Sequence, residues 1–192
     1  MSRQNVAMLG FVLALCSAGA AVADEEPKRG KMNVFVRGGA GNYTGDLGDD
    51  VNVGPTWGLT LDLQPLRFLS FELGYEGARN TAKTALLDIS LTRHGASGLV
   101  KLSLPLFEFV RPFVGAGLGI SRITIGGDLR GAFESDLVQE IPVAVGVEFN
   151  SGALTAGARA TYRLLLDENL REQVDDPQGG FFDVALTLGA RF

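Results

Sequence analysis

The chain holds one histidine and one cysteine, so few of its residues could support nucleophilic or soft-metal chemistry. His94 lies in TRHGASG, three residues before Ser97. A base and a hydroxyl nucleophile on one strand must be an even number of residues apart to share a face, because successive side chains alternate sides. His94 and Ser97 therefore point to opposite faces unless a bulge intervenes, and no acidic residue is placed to orient the imidazole. Cys16 sits inside an apolar N-terminal run and reads as filler there. GAGLG lies within an alternating run that no helix follows, so it does not read as a phosphate-cradling loop. Two acidic clusters, Asp46, Asp49 and Asp50, then Asp167, Glu168, Asp175 and Asp176, could hold a divalent cation. They lack the spacing of an organised calcium loop and read as solvated loop charge. No catalytic residue, metal or cofactor is expected.

Other charges recur on one parity of alternating runs. Arg37, Lys101, Arg111, Arg159, Arg163 and Arg191 are the positive members, and Asp62, Glu72, Glu76, Glu140, Glu148 and Asp183 the negative ones. Buried alone, any of them would be costly, whereas paired and hydrogen-bonded they can fill and specify an interior. Salt bridges between neighbouring strands are expected, with Arg37 opposite Asp62 if the first connection is counted symmetrically.

Such side chains need strands to position them, and period-two alternation predicts eight, over 33–43, 56–64, 68–77, 91–104, 110–123, 138–150, 154–164 and 181–192. The connections alternate in length. Residues 44–55, 78–90, 124–137 and 167–180 read as long loops, 65–67 and 105–109 as short turns, and Ser151-Gly152 as a two-residue hairpin turn. That order suits an all-β fold, an eight-stranded antiparallel up-and-down barrel with turns at one end and loops at the other.

The polar parity decides which face is inside. It also carries Gly39, Gly41, Gly58, Gly74, Gly115, Gly117, Gly119, Gly146, Gly157 and Gly189, small residues that leave room beside Arg and Glu in a narrow interior. On a solvated outer face so many glycines would only weaken the strands. The apolar parity then faces outward, with Trp57, Tyr75, Phe149, Tyr162, Phe182 and Phe192 near strand ends, where interfacial girdles of a transmembrane barrel lie.

The N-terminus adds an export signal. Arg3, an uncharged run from Val6 to Val22, and Ala21-Val22-Ala23 before Asp24 form the pattern of a cleavable signal peptide over residues 1–23. Residues 24–31 read as a polar tether and 32–192 as the barrel. With 17 basic residues against 22 acidic ones, an electrostatic grip on nucleic acid is not expected.

The closing stretch FFDVALTLGARF places Phe182, Val184, Leu186, Leu188, Ala190 and Phe192 on one face. Together with the eight alternating runs and the export signal, it resembles the small eight-stranded outer-membrane β-barrel family, typified by the transmembrane domain of outer membrane protein A. The chain departs from that protein in lacking a C-terminal peptidoglycan-binding domain. The resemblance implies a monomer in the bacterial outer membrane, in contact with its lipid and lipopolysaccharide, and a terminal Phe read by the barrel-assembly machinery. It also implies a structural or loop-mediated role. A narrow gated pore is an alternative, and a secreted soluble barrel holding an apolar ligand is another. Some family members act on lipid A, but the placement of His94 argues against an enzyme here.

Overall fold

The computed structural model describes residues 31–83, 89–104, 109–127, 136–166 and 179–192. They form eight strands: β1 (Lys31–Tyr43), β2 (Gly54–Gln64), β3 (Leu69–Thr81), β4 (Ile89–Ser103), β5 (Val110–Gly127), β6 (Asp136–Ser151), β7 (Leu154–Leu166) and β8 (Gly180–Arg191). Each pairs antiparallel with the next, and β8 returns to β1 through pairs such as Val36 with Leu188, closing the sheet. Closure extends to the last residue, because the Phe192 amide donates to the Met32 carbonyl at 2.8 Å.

The alternation sorts side chains as the sequence reading requires. Val36, Leu59, Leu73, Val114, Val145, Val184 and Leu186 stand exposed on the outside, while Asp62, Glu72, Glu140, Arg159 and Arg163 are buried within. So continuous an exposed apolar belt far exceeds the patches that soluble monomers carry. Glycines make space inside. A Cβ at Gly146 would lie 2.6 Å from the Phe113 ring, and one at Gly189 would lie 2.4 Å from Phe35, so both rings rest on bare backbone.

Several expected boundaries move. The first long connection contains a helical turn, α1 (Asp46–Asp50), rather than loop throughout. The two-residue turn is Gly152-Ala153, with Ser151 paired to Leu154. Gly152 has φ +57, and among the described residues only glycines have positive φ, which fits a turn needing glycine at its first central position. β3, β4 and β5 extend beyond their expected loop-side ends, with Ala78 paired to Arg93 and Thr81 to Ser90. There the pattern inverts. Tyr43, Val51, Ala78 and Phe181 form an apolar cluster inside, joined by Leu91, Ile123 and Leu165, while Arg79, His94 and Arg122 are exposed outside. A reading tuned to apolar-outward alternation loses the strand at that level.

Candidate functional site

The lumen is a column of charge built in tiers. In the tier nearest the loops, Glu76 on β3 is the hub. It accepts from Arg37 on β1, from Arg93 on β4 at 3.1 Å and from Arg163 Nε on β7 at 2.7 Å. Arg93 also donates to Glu140 Oε1 on β6 at 2.6 Å, and Arg163 donates to Asp183 on β8. The Phe181 ring lies against both guanidiniums, 5.4 Å from that of Arg93 and 5.7 Å from that of Arg163. This geometry gives cations an aromatic face as well as carboxylates.

One tier down, Lys101 on β4 is the hub. Its ammonium lies 2.7 Å from Glu148 Oε1 and 3.0 Å from Glu72 Oε1, and it also pairs with Asp62. Arg159 on β7 reaches across the lumen to Glu72 Oε2 at 2.7 Å. The oxygens of Asp62, Glu72 and Glu148 lie within 4.8 Å of one another, a spacing that would suit a metal ion. The Lys101 ammonium already supplies the cation there. Phe35 and Phe113 flank it at 5.7 and 5.1 Å.

At the turn end the charges are held by neutral partners. Arg111 donates to Gln64 Oε1 at 3.0 Å and to the Arg67 carbonyl. Arg191 donates to Asn33 Oδ1 at 3.2 Å and to Asn150. Ten of the twelve charges named from the sequence thus meet in two ion-pair clusters, and Arg111 and Arg191 stand apart.

Two expectations are corrected. Arg37 is paired with Gly58, and Asp62 with Asn33, so Arg37 and Asp62 are not opposite each other. The ladder between β1 and β2 stops at Gly41 with Gly54, whereas symmetric counting starts from Tyr43 with Thr56, and α1 lies within the connection between the two strands. Nor are the salt bridges confined to neighbouring strands. Arg163 and Arg159 on β7 reach β3, and Lys101 on β4 reaches β2 and β6. In so narrow a barrel long inward side chains converge on the axis, where the opposite wall is as near as the adjacent strand.

Arg93 was missed. It is 1% exposed and belongs to the Glu76 cluster, but it sits beside His94 where the hydrophobic pattern inverts. The parity of Lys101 and Leu99, counted back through Ser97 and Gly95, is the signal that could have found it.

A closed ring of eight antiparallel strands, apolar outside and ionic within, can be compared with known folds. No protein-family model matches the sequence, and no curated protein does. Solved structures do match. Neisserial surface protein A superimposes with TM-score 0.62 and 18% identity over 85% of this chain and 100% of its own. Ail, the attachment invasion locus protein of Yersinia pestis, gives 0.60 and 14% over 85% of this chain and 99% of its own. OprG from Pseudomonas aeruginosa gives 0.51 and 13%, covering 86% and 97%. The chain has the fold of the small outer-membrane barrels.

On the outside of that barrel, His94 and Ser97 lie on opposite faces. His94 is exposed, with Nδ1 2.7 Å from the Tyr75 hydroxyl, and Ser97 is on the lumen side. Of the acidic clusters, Asp49 and Asp50 are exposed at the end of α1, whose carbonyls receive the Lys83 ammonium, 2.8 Å from that of Asp49. Asp167, Glu168, Asp175 and Asp176 lie outside the described residues, as do the expected signal peptide and nearly all of the tether. Trp57, Tyr75 and Phe182 are exposed toward the loop end, with Tyr162 half-buried beside Phe182, and Phe149 and Phe192 are exposed at the turn end.

Proposed function

We propose that this chain is an outer-membrane protein of a Gram-negative bacterium, exported behind a signal peptide that ends at Ala23 and tethered by residues 24–31. Its barrel is a monomeric membrane platform that presents the long loops to partners outside the cell, and its lumen is closed. The observation that carries closure is the packing of the column. Two cavities among the described lumen residues have volumes of about 10 Å³ each, close to the least that admits one water molecule. The walls around them are ion-paired arginines and glutamates rather than a file of unpaired acceptors. A soluble barrel with an apolar ligand would need the reverse, an apolar cavity and a polar exterior.

Phe192, with Phe182, Val184, Leu186, Leu188 and Ala190 on the same outward face, serves as the signal for the barrel-assembly machinery. The exposed Phe192 side chain, 72% accessible, and its backbone pair with Met32 support that role, since the last residue both closes the sheet and remains readable. Surrounding lipid and lipopolysaccharide are the constant partners of the belt, and nucleic acid is not one. Planar-bilayer recordings of the purified protein test closure. A flat baseline is expected, and discrete single-channel steps would replace the closed lumen by a gated pore.

A further inference from the structure

The charged column does not balance. Seven cations, Arg93 included, face six carboxylates. The Glu76 cluster is neutral, and the Lys101 cluster holds one carboxylate more than it has cations. The surplus positive charge therefore lies at the turn end, with Arg111 and Arg191. Glu148 stands opposite Arg111 in the β5–β6 ladder, but its Oε1 is turned to the Lys101 ammonium at 2.7 Å.

Hydrogen bonding there is unbalanced in the same sense. Arg111 spends Nη1 and Nη2 on Gln64 and the Arg67 carbonyl, and its buried Nε–H has no partner among the described residues. Asn150 Oδ1 accepts from Thr155 at 2.8 Å and from Arg191, and the buried Nδ2 of the same carboxamide is also unpartnered. That orientation is forced, because a guanidinium can only donate. Asn150 lies two residues beyond Glu148 on β6, which sets its Cα about 8 Å from that of Arg111, within reach of the arginine side chain. Buried orphan donors call for a water or an ion. A water would bring two hydrogens of its own, and the acceptors at this level, Gln64 Oε1, the Arg67 carbonyl, Asn33 Oδ1 and Asn150 Oδ1, are already engaged. An anion brings acceptors alone. Asp62 Oδ1 is unpartnered too, one tier down, where Lys101 neutralises its carboxylate.

We propose that the turn-side mouth of the barrel binds one small oxyanion, a phosphate or a carboxylate, between the guanidiniums of Arg111 and Arg191 and the Asn150 carboxamide. A guanidinium edge offers paired N–H groups to two oxygens of such an ion, and each bond is charge-assisted. Arg111 and Arg191 are half-buried, so the ion enters from water without crossing the paired tiers. All three groups stand on the inward parity, which suits a free ion rather than a lipid headgroup outside the wall. Placing that mouth in the periplasm rests on the membrane reading given above, whereas the binding does not.

Side-chain proton–nitrogen correlation spectra test the site on the protein refolded in dodecyl maltoside micelles, whose headgroup is uncharged. Sodium phosphate, and separately sodium acetate, is titrated against sodium chloride at matched ionic strength. The Arg111 Nε–H and Asn150 Nδ2–H signals are expected to shift along saturating curves with either oxyanion. Arg111→Gln, read at Asn150, should weaken phosphate binding about tenfold or more, the worth of one charged hydrogen bond. Asn150→Asp fixes a carboxylate where the ion would sit and should abolish the shift at Arg111. Arg79→Gln removes an exposed charge at the far rim and should leave the curve unchanged. Heat-modifiable gel mobility confirms that each variant is folded. Shifts that chloride reproduces, that never saturate, or that survive in Asn150→Asp overturn the site. Because the spectra are recorded in micelles, their failure leaves the membrane reading standing, and failure of the protein to insert into vesicles leaves the site standing.

Discussion

Replacing Lys101 by Met removes the ammonium at the centre of the second tier while preserving side-chain length. Three carboxylates, Asp62, Glu72 and Glu148, then face one another with oxygens within 4.8 Å. At an effective dielectric constant of about 20, two unit charges at that distance repel by about 3.5 kcal/mol. Arg159 still neutralises Glu72 from 2.7 Å, so the uncompensated repulsion is chiefly between Asp62 and Glu148. Removal of one member of a buried ion pair typically destabilises by about 3–5 kcal/mol, and K101M should fall in that range. Urea unfolding from phospholipid vesicles measures it, followed through Trp57, the single tryptophan of the chain.

A second substitution isolates the repulsion. Adding Glu148→Gln to K101M should recover much of the loss at neutral pH, because it removes one of the two charges left facing each other. A loss below about 1 kcal/mol, the worth of an exposed ion pair, would refute the reasoning. So would a double variant no more stable than K101M.

Glu76→Gln takes its ion-pair partner from Arg37 and leaves Arg93 and Arg163 to Glu140 and Asp183, and it should destabilise by about 3–5 kcal/mol in the same urea assay. Gly146→Leu drives a side chain into the Phe113 ring and should cost about 1–3 kcal/mol, whereas Gly38→Leu, with nothing within 4 Å of its Cβ, should change stability by about 0.5 kcal/mol or less. Deleting Phe192 should lower the heat-modifiable, membrane-inserted fraction in cells several-fold, and equal insertion would remove the assembly role from that residue. Wild type and His94→Ala should both show no hydrolysis of lipid A acyl chains by mass spectrometry, and loss of a measurable activity on removing His94 would make it catalytic.

Strand number, barrel class and the inward set of charges were legible because each depends only on alternation, a property of one strand at a time. Partnership was not. Which carboxylate receives Arg163 depends on where β7 and β3 stand across the lumen, and that follows from the register of every ladder between them. Arg37 illustrates the point: the β1–β2 register sets Gly58 rather than Asp62 beside it, and its carboxylate partner is Glu76 on β3. Arg93 and Ala78 were illegible for another reason. They lie where apolar side chains turn inward and charged ones outward, so the correct period was present with the opposite sense.

That inversion acts as a ruler for the membrane. Along β5 the outward positions run from Val110 through Val114 and Leu118 to Ile120, and the next is Arg122. From Val110 to Ile120 the strand climbs about 33 Å, or about 25 Å along the axis of a barrel whose strands tilt by about 40°. An apolar band of about 25 Å is what the hydrocarbon layer of an outer membrane demands. Above the band the exterior meets water and headgroups, so arginine is free to face out and the barrel can be stoppered by an ordinary apolar core of Tyr43, Val51, Ala78 and Phe181. Within the band the exterior must be apolar, and the polar groups left for the interior must neutralise one another. The charged column and its apolar stopper are thus one solution to a single change of solvent along the strands.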